Sequence, residues 1–379
     1  MELWLWGGFL LLVFIMLALD LGVFNRKAHV MGIREALGWT AIWIVMALLF
    51  NVAIYFIYTY DFANISEHYH NGERISGTTA ACEFLTGYLI EKSLSLDNIF
   101  VISMIFTFFA IPPIYQHRVL FWGILGALVL RGIMIIAGAQ LIESFEWMIY
   151  VFAFLLLITA IKMLTHDSGD VHPENNPLVR LAKRWMPVAT QIKDESFFVR
   201  MGDRWAMTPL FLALLVIETS DVIFAVDSIP AIFGITHDPF IVFTSNIFAL
   251  LGLRSLYFAL AAMITKFRYL KVGLVVILIY VSLKMIFSAL FHDYILEHGW
   301  KDMVTFFSLC VIVCVMGASI LASIYVPEDE TFEQKGPRRL QLAEASSSRL
   351  GSRIPSGKKA LSPQQIRRKR RRKAERRKV

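Results

Sequence analysis

Two apolar segments carry acids where acids are costly. EKSLSLDNIFVIS runs from Glu91 and ETSDVIFAVDSIPA from Glu218. Each lies in a stretch long enough to cross a bilayer, where an ionised carboxylate costs about 2.5–3.5 kcal/mol on insertion scales. Glu218 and Asp221 are three residues apart and share one face of a helix, whereas Asp227 lies about 120° from Asp221 around a regular helix. Glu91, Ser95 and Asn98 form one stripe at i, i+4 and i+7, with Asp97 beside it. Pro230 removes the hydrogen bond to the Val226 carbonyl, so the helix is expected to kink or break near Asp227 and free that oxygen. Carboxylates, Asn amides, hydroxyls and carbonyls, with no Cys or His among them, suit Mg²⁺, Ca²⁺ or Mn²⁺ over Cu or Zn. The candidate metal ligands are therefore Glu91, Asp97, Asn98, Glu218, Asp221 and Asp227. Asn246 is either a further ligand or a helix–helix hydrogen bond.

Charge counting separates two readings. If all were ionised, six acids in the membrane body (Asp20, Glu91, Asp97, Glu218, Asp221 and Asp227) would face three bases (Lys92, Arg131 and Arg254). The surplus of negative charge requires protons or a cation. The plainer reading makes the acids buried ion-pair partners of Arg131 and Arg254. It serves single residues better than the set, because the acids outnumber the bases. The two arginines read as structural or charge-tuning, since a guanidinium repels a metal. Asp20 ends the first span and serves either an inner vestibule or an exposed helix end. His68 and His70 sit in a polar loop and read as solvated.

The elements that position these residues follow from hydropathy. The chain has 379 residues, 57% of them hydrophobic and only 18% charged, with a mean hydropathy of +0.59, which excludes an ordinary soluble domain. Windows of about twenty apolar residues fall at residues 4–24, 38–58, 85–109, 119–141, 147–164, 209–233, 240–264, 272–291 and 303–325. The first lacks a basic leader and a small-residue cleavage site, so it reads as a retained helix. Arg26, Lys27, Arg34, Arg118, the segment 162–204, Lys266, Arg268 and Lys271 all fall on one side of the membrane, and the opposite loops are acidic or short. By the positive-inside rule the N-terminus is outside and the C-terminus cytoplasmic. Cys82, Cys310 and Cys314 read as small apolar filler and imply no disulfide framework.

Three polar landmarks recur in order. Asp97 matches Asp221 at an offset of 124, Arg131 matches Arg254 at 123, and Lys162 matches Lys284 at 122. Spans three to five and six to eight thus form two three-helix repeats, at about residues 85–164 and 209–291. An odd number of crossings in each makes them inverted, an architecture that places a transport site where the repeats meet. The chain reads as an all-α polytopic membrane protein of about nine transmembrane helices. Its membrane domain covers residues 1–326. Within this, the cytoplasmic loop at about 165–207 is irregular over 168–177 and carries a hairpin over 197–207, whose aromatics lie against the bilayer surface or the helix ends.

Residues 327–379 form a basic cytoplasmic tail, expected to be disordered. The net charge of +7 belongs to it: residues 335–379 hold 17 Lys and Arg against two Glu, leaving the rest of the chain acidic. Such a run attracts anionic lipid at about 1 kcal/mol per basic residue. It lacks the interleaved aromatics of a sequence-specific nucleic-acid reader. No feature of the sequence specifies an oligomer.

The chain resembles the TerC-type membrane proteins, and residues 1–325 look most like the family's Alx-like branch. The motifs that carry the resemblance are GYLIEKSLSLDNIF from Gly87, FFVR from Phe197, SDVIFAVDSIPAIF from Ser220, DPFIV from Asp238 and SNIFALLGLRSLYF from Ser245. The resemblance implies a bacterial inner-membrane α-helical carrier, related to a lysine-exporter-like superfamily and associated with manganese export and tellurite resistance. It places the family's membrane acids on Glu91, Asp97, Glu218, Asp221 and Asp227. The polar loop 61–77 and the long basic tail depart from the family pattern without touching these motifs.

The expected function is export of divalent metal cations, Mn²⁺ first, by alternating access around carboxylates that exchange metal for protons. No G-x-x-x-x-G-K-[ST] motif is present, so the energy is expected from an ion gradient or from the metal's own gradient. No permanently bound cofactor is implied, and no Ser/His or HExxH set in the spans suggests an enzyme. A membrane scaffold in a metal-stress complex is the alternative. An organic-solute exporter is a third reading, and the acid cluster weighs against it. Deletion of residues 335–379 is expected to leave cation flux unchanged in correctly inserted protein, as measured in vesicles; loss of flux would assign the tail to the transport machinery.

Overall fold

The computed structural model describes residues 2–22, 32–62, 75–145, 147–165, 176–189, 196–201, 204–260, 268–291, 294–295 and 300–325, all within the first of the chain's two units, Met1–Val326. The basic tail, His68, His70 and the side chain of Asp20 lie outside what is described.

In a bilayer each backbone N–H and C=O must find its partner within the protein, and long apolar runs meet that demand as helices. The helices are α1 (Glu2–Gly22), α2 (Ile33–Thr59), α3 (Gly77–Phe108), α4 (Pro113–Ser144), α5 (Met148–Thr165), α6 (Pro177–Trp185), α7 (Pro209–Phe233), α8 (Pro239–Leu251), α9 (Leu253–Leu260), α10 (Arg268–Leu290) and α11 (Lys301–Tyr325). Proline opens α4, α6, α7 and α8 at the first turn, where its missing N–H costs nothing. Side-chain caps fix other starts: Ser76 Oγ accepts from the Thr79 N–H of α3 at 3.1 Å, and Asp238 Oδ1 accepts from Phe240 and Ile241 of α8. Between α3 and α4 the chain reverses through Ala110 at φ 49°, followed by Pro112 and Pro113.

The protein is an all-α, multi-pass membrane protein. Among the described residues six helices are long and apolar enough to cross a bilayer, and α8 with α9 adds a seventh if that pair, bent by 43°, is one span. α3 is as long as α4 but more polar, because it carries Glu83, Glu91, Lys92 and Asp97. The expected break near Asp227 does not occur. α7 runs unbroken through Pro230, where the turn from Ser228 to Phe233 is wholly buried and packing holds it. The discontinuity falls instead at Gly252, between α8 and α9.

The hairpin forms as expected. β1 (Phe198–Met201) pairs antiparallel with β2 (Arg204–Met207), from Phe198 opposite Met207 to Met201 opposite Arg204. Two of its aromatics dock on helix ends: the Phe197 and Phe198 rings lie 6.5 and 4.6 Å from Phe211 at the start of α7, and the Arg118 guanidinium stands 5.4 Å over Phe197, while Trp205 is exposed.

α3 packs against α2, α7, α8 and α11. Its main partner in the second half is α8, while α7 packs on α4, and α5 packs on α10. Glycine permits the closest approaches. A Cβ at Gly87 would lie 2.9 Å from Ser245 Oγ of α8, and one at Gly138 would lie 2.9 Å from the Phe233 ring of α7. Gly87→Val is therefore expected to destabilise the fold by about 1–3 kcal/mol through overpacking. Gly38→Val, where a Cβ meets nothing within 4 Å, serves as the control. Thermal unfolding in detergent, with equal losses for the two variants, would contradict the close α3–α8 contact.

Candidate functional site

Arg131 of α4 is the largest fully buried side chain among the described residues. Its guanidinium is held as a fork by Asp221 of α7: Nη2 donates to Oδ1 at 2.8 Å and Nε to Oδ2 at 3.2 Å. Nη1 donates to Glu91 Oε1 of α3 and, at 2.9 Å, to Asn246 Oδ1 of α8. Four helices, two from each half of the chain, thus meet on one cation. Fork geometry is what arginine supplies and lysine does not. In so dry a setting, removing one partner of such a pair costs about 3–5 kcal/mol, because the other charge is stranded.

Several acceptors around this node are unused. Glu91 Oε2, Asn98 Oδ1 and Glu218 Oε2 are buried without hydrogen-bond partners. The Glu218 carboxylate rests against Gly126 of α4, where any Cβ would overlap it, so glycine makes its place. Beside the node a small cavity is lined by Asn98, Ser220 and Asp221 among apolar neighbours that include Ile102, Ile124, Phe224 and Leu253.

Comparison with known proteins assigns the chain. The family model described as "Integral membrane protein TerC family" matches residues 76–331, from the α3 cap through α11. The chain belongs to the TerC family. It is 48% identical over 320 residues to a membrane protein of Myxococcus xanthus, covering 84% of this chain and 92% of that one. It is 46% identical over 289 residues to Alx of Salmonella typhi, named as a candidate membrane-bound redox modulator, covering 76% and 87%. A membrane protein of Rickettsia bellii is 39% identical over 321 residues, covering 84% and 96%. The Alx match agrees with the resemblance carried by the motifs. No solved structure matches.

In this TerC-family chain the structure gathers some of the expected residues and separates others. Glu91, Asp221 and Asn246 meet on Arg131, and Asn98 shares a cavity with Asp221. The plainer ion-pair reading thus describes Glu91 and Asp221 in this conformation. Asp97, only partly buried, has Lys271 of α10 as its charged neighbour. Asp227 accepts from Thr159 Oγ1 of α5 at 2.7 Å, with Lys162 nearby, on the different face of α7 that its spacing predicts. Arg254 is buried on α9, just past the bend. There, Lys92 Nζ donates to the Ala249 carbonyl at 3.2 Å and meets the last turn of α8 with positive charge.

Glu83 escaped the charge count because it lies just before the third apolar window. It is buried on α3 with Lys284 of α10 as a charged neighbour. The Ser76 cap signal, which starts α3 eight residues earlier than the window does, was the available clue.

Among the described residues no three Asp, Glu, His or Cys side chains converge to hold a metal. Between Glu91 and Asp221 that place is taken by a guanidinium. Two unit charges 4 Å apart interact by about 4 kcal/mol at an effective dielectric of 20, so a divalent ion at Asp221 with Arg131 in place would be opposed by about 8 kcal/mol. A double-mutant cycle of Arg131→Gln and Asp221→Asn, read by thermal unfolding of purified protein, is expected to give a coupling of at least about 1.5 kcal/mol. Additive losses would mean that the fork contributes no stability.

Proposed function

We propose that this TerC-family protein exports divalent metal cations, Mn²⁺ first among them, across the bacterial inner membrane by alternating access, with protons as the exchanged ion. One observation carries the reading. Buried acids from both halves of the chain, Glu91 and Asp221 on Arg131 with Glu218 one turn away, lie beside a cavity, with carboxylate and amide oxygens left unbonded. Buried ionisable groups of this kind mark ion pathways, and an all-oxygen donor set favours hard cations.

The packing pattern supports the inverted repeat. Exchanging α3 with α7 and α4 with α8 turns the α3–α8 contact into the α7–α4 contact, and exchanging α5 with α10 maps their contact onto itself. On this reading the chain makes nine crossings with the N-terminus outside, and the Arg131 node lies where the repeats meet. Glu91, Asn98, Glu218, Asp221 and Asn246 serve at or beside the node. Asp97 and Asp227, which face away from it, are stations through which the ion is passed. The bilayer is the standing partner, with anionic lipid at the tail.

The test is Mn²⁺ flux in inverted membrane vesicles at matched expression. Asp221→Asn and Asp97→Asn, both nearly isosteric, are each expected to reduce flux to that of vesicles lacking the protein. Full flux in both variants would remove the carboxylates from the path. Absence of flux in the parent under every gradient, for Mn²⁺, Ca²⁺ and Mg²⁺ alike, would favour a scaffold in a metal-stress complex. Flux indifferent to an imposed pH gradient would remove the proton from the cycle.

A further inference from the structure

The group that closes the acid cluster is itself a cation. Resting on the export reading, we propose that Arg131 is the carrier's tethered counter-ion: its guanidinium occupies Asp221 and Glu91 when no metal is bound, and a divalent cation loads by taking Asp221 from it.

The geometry gives the exchange a direction. Glu91, Arg131 and Asn246 are 0% exposed, whereas Asp221 is 8% exposed and lines the cavity. Asp221 is thus the member of the node that an arriving ion meets. Both of its oxygens are engaged by Arg131, so loading requires the fork to open. Two further donors stand close by for the ion. Asn98 Oδ1 is unbonded in the wall of the same cavity, and Glu218 Oε2 is unbonded one turn before Asp221. The guanidinium also has somewhere to go. Glu91 accepts through Oε1 alone and keeps Oε2 unbonded, so an arginine released from Asp221 can complete a second fork on Glu91 without leaving the node.

Charge balance gives the exchange its purpose. Glu91, Asp221 and Arg131 together carry one net negative charge when empty and one net positive charge with a divalent ion added. Without the arginine the metal-free site would carry two negative charges, so its return through a low-dielectric core would need a proton on both acids instead of one. A monovalent ion brings no more charge than the guanidinium it would displace, so the fork favours divalent cargo.

The test is equilibrium Mn²⁺ binding to purified full-length protein in lipid nanodiscs, comparing the parent with Arg131→Gln and Arg131→Lys. Removing the competitor is expected to tighten Mn²⁺ binding by at least about ten-fold in Arg131→Gln, with Arg131→Lys in between because it keeps the charge and loses the fork. Mn²⁺ should also raise the unfolding temperature of Arg131→Gln more than that of the parent. In proteoliposomes that variant should keep Mn²⁺–Mn²⁺ exchange while losing net efflux, because only the empty return is impaired. Binding in Arg131→Gln no tighter than in a parent that moves Mn²⁺ would overturn the counter-ion role and leave the export reading standing. If Arg131→Gln does not fold, unchanged affinity in Arg131→Lys overturns it equally. A parent that neither binds nor moves Mn²⁺, Ca²⁺ or Mg²⁺ would overturn both.

Discussion

A single guanidinium buried among four helices sets the terms for the rest of the structure. Arg131 takes a fork from α7, a carboxylate from α3 and an amide from α8, so the register of these helices against α4 is fixed at one depth. Apolar side chains in lipid offer little such specificity, because tails and leucines are equally apolar and helices can slide past one another at small cost. A charged network cannot slide, since each oxygen that loses its donor is stranded without water. The glycines at 87, 126 and 138 belong to the same solution, because they let α3 approach α8 and α4 approach α7 closely enough for the network to close.

Read as an inverted repeat, the two halves are alike in plan and unlike in state. Asp97 and Asp221 hold corresponding positions in matching segments, yet Asp221 is forked by Arg131 while Asp97 neighbours Lys271. On the export reading proposed above, two copies of one element held in different environments correspond to a single conformation of an alternating carrier. The second half is also the one that breaks: α8 stops at Gly252, where Lys92 from α3 supplies the positive charge that its last carbonyls face. Irregular backbone at membrane depth is tolerated where protein rather than lipid surrounds it, and every residue from Phe240 to Ser255 is buried.

Much was legible beforehand because the bilayer simplifies the code. Apolar run length alone identified the long helices but not the amphipathic α6 between α5 and α7, the Phe197 hairpin stood out by its strand–turn–strand pattern, and the motifs around Glu91 and Asp221 were specific enough to indicate the TerC family. Helical periodicity also put Asp227 on a different face of α7 from Asp221, as Thr159 confirms. The misplaced break is instructive. Pro230 removes one hydrogen bond, but burial of the last turn of α7 outweighs that loss, whereas nothing at Gly252 announced a bend of 43°.

The sequence by itself determined the solvent, the helical class, the family and the inventory of buried acids and bases, because each follows from composition or from spacing along one chain. Only the tertiary structure decided which of those charges meet. Glu91, Arg131, Asp221 and Asn246 are up to 155 residues apart, and their convergence depends on α4 packing on both α7 and α8. Periodicity gives the angle of a side chain around its own axis and says nothing about the neighbouring axis. That is why the sequence supplied seven candidate ligands without saying which of them meet, whereas the fold gathers some of them on a guanidinium and turns Asp97 and Asp227 toward lysines of other helices.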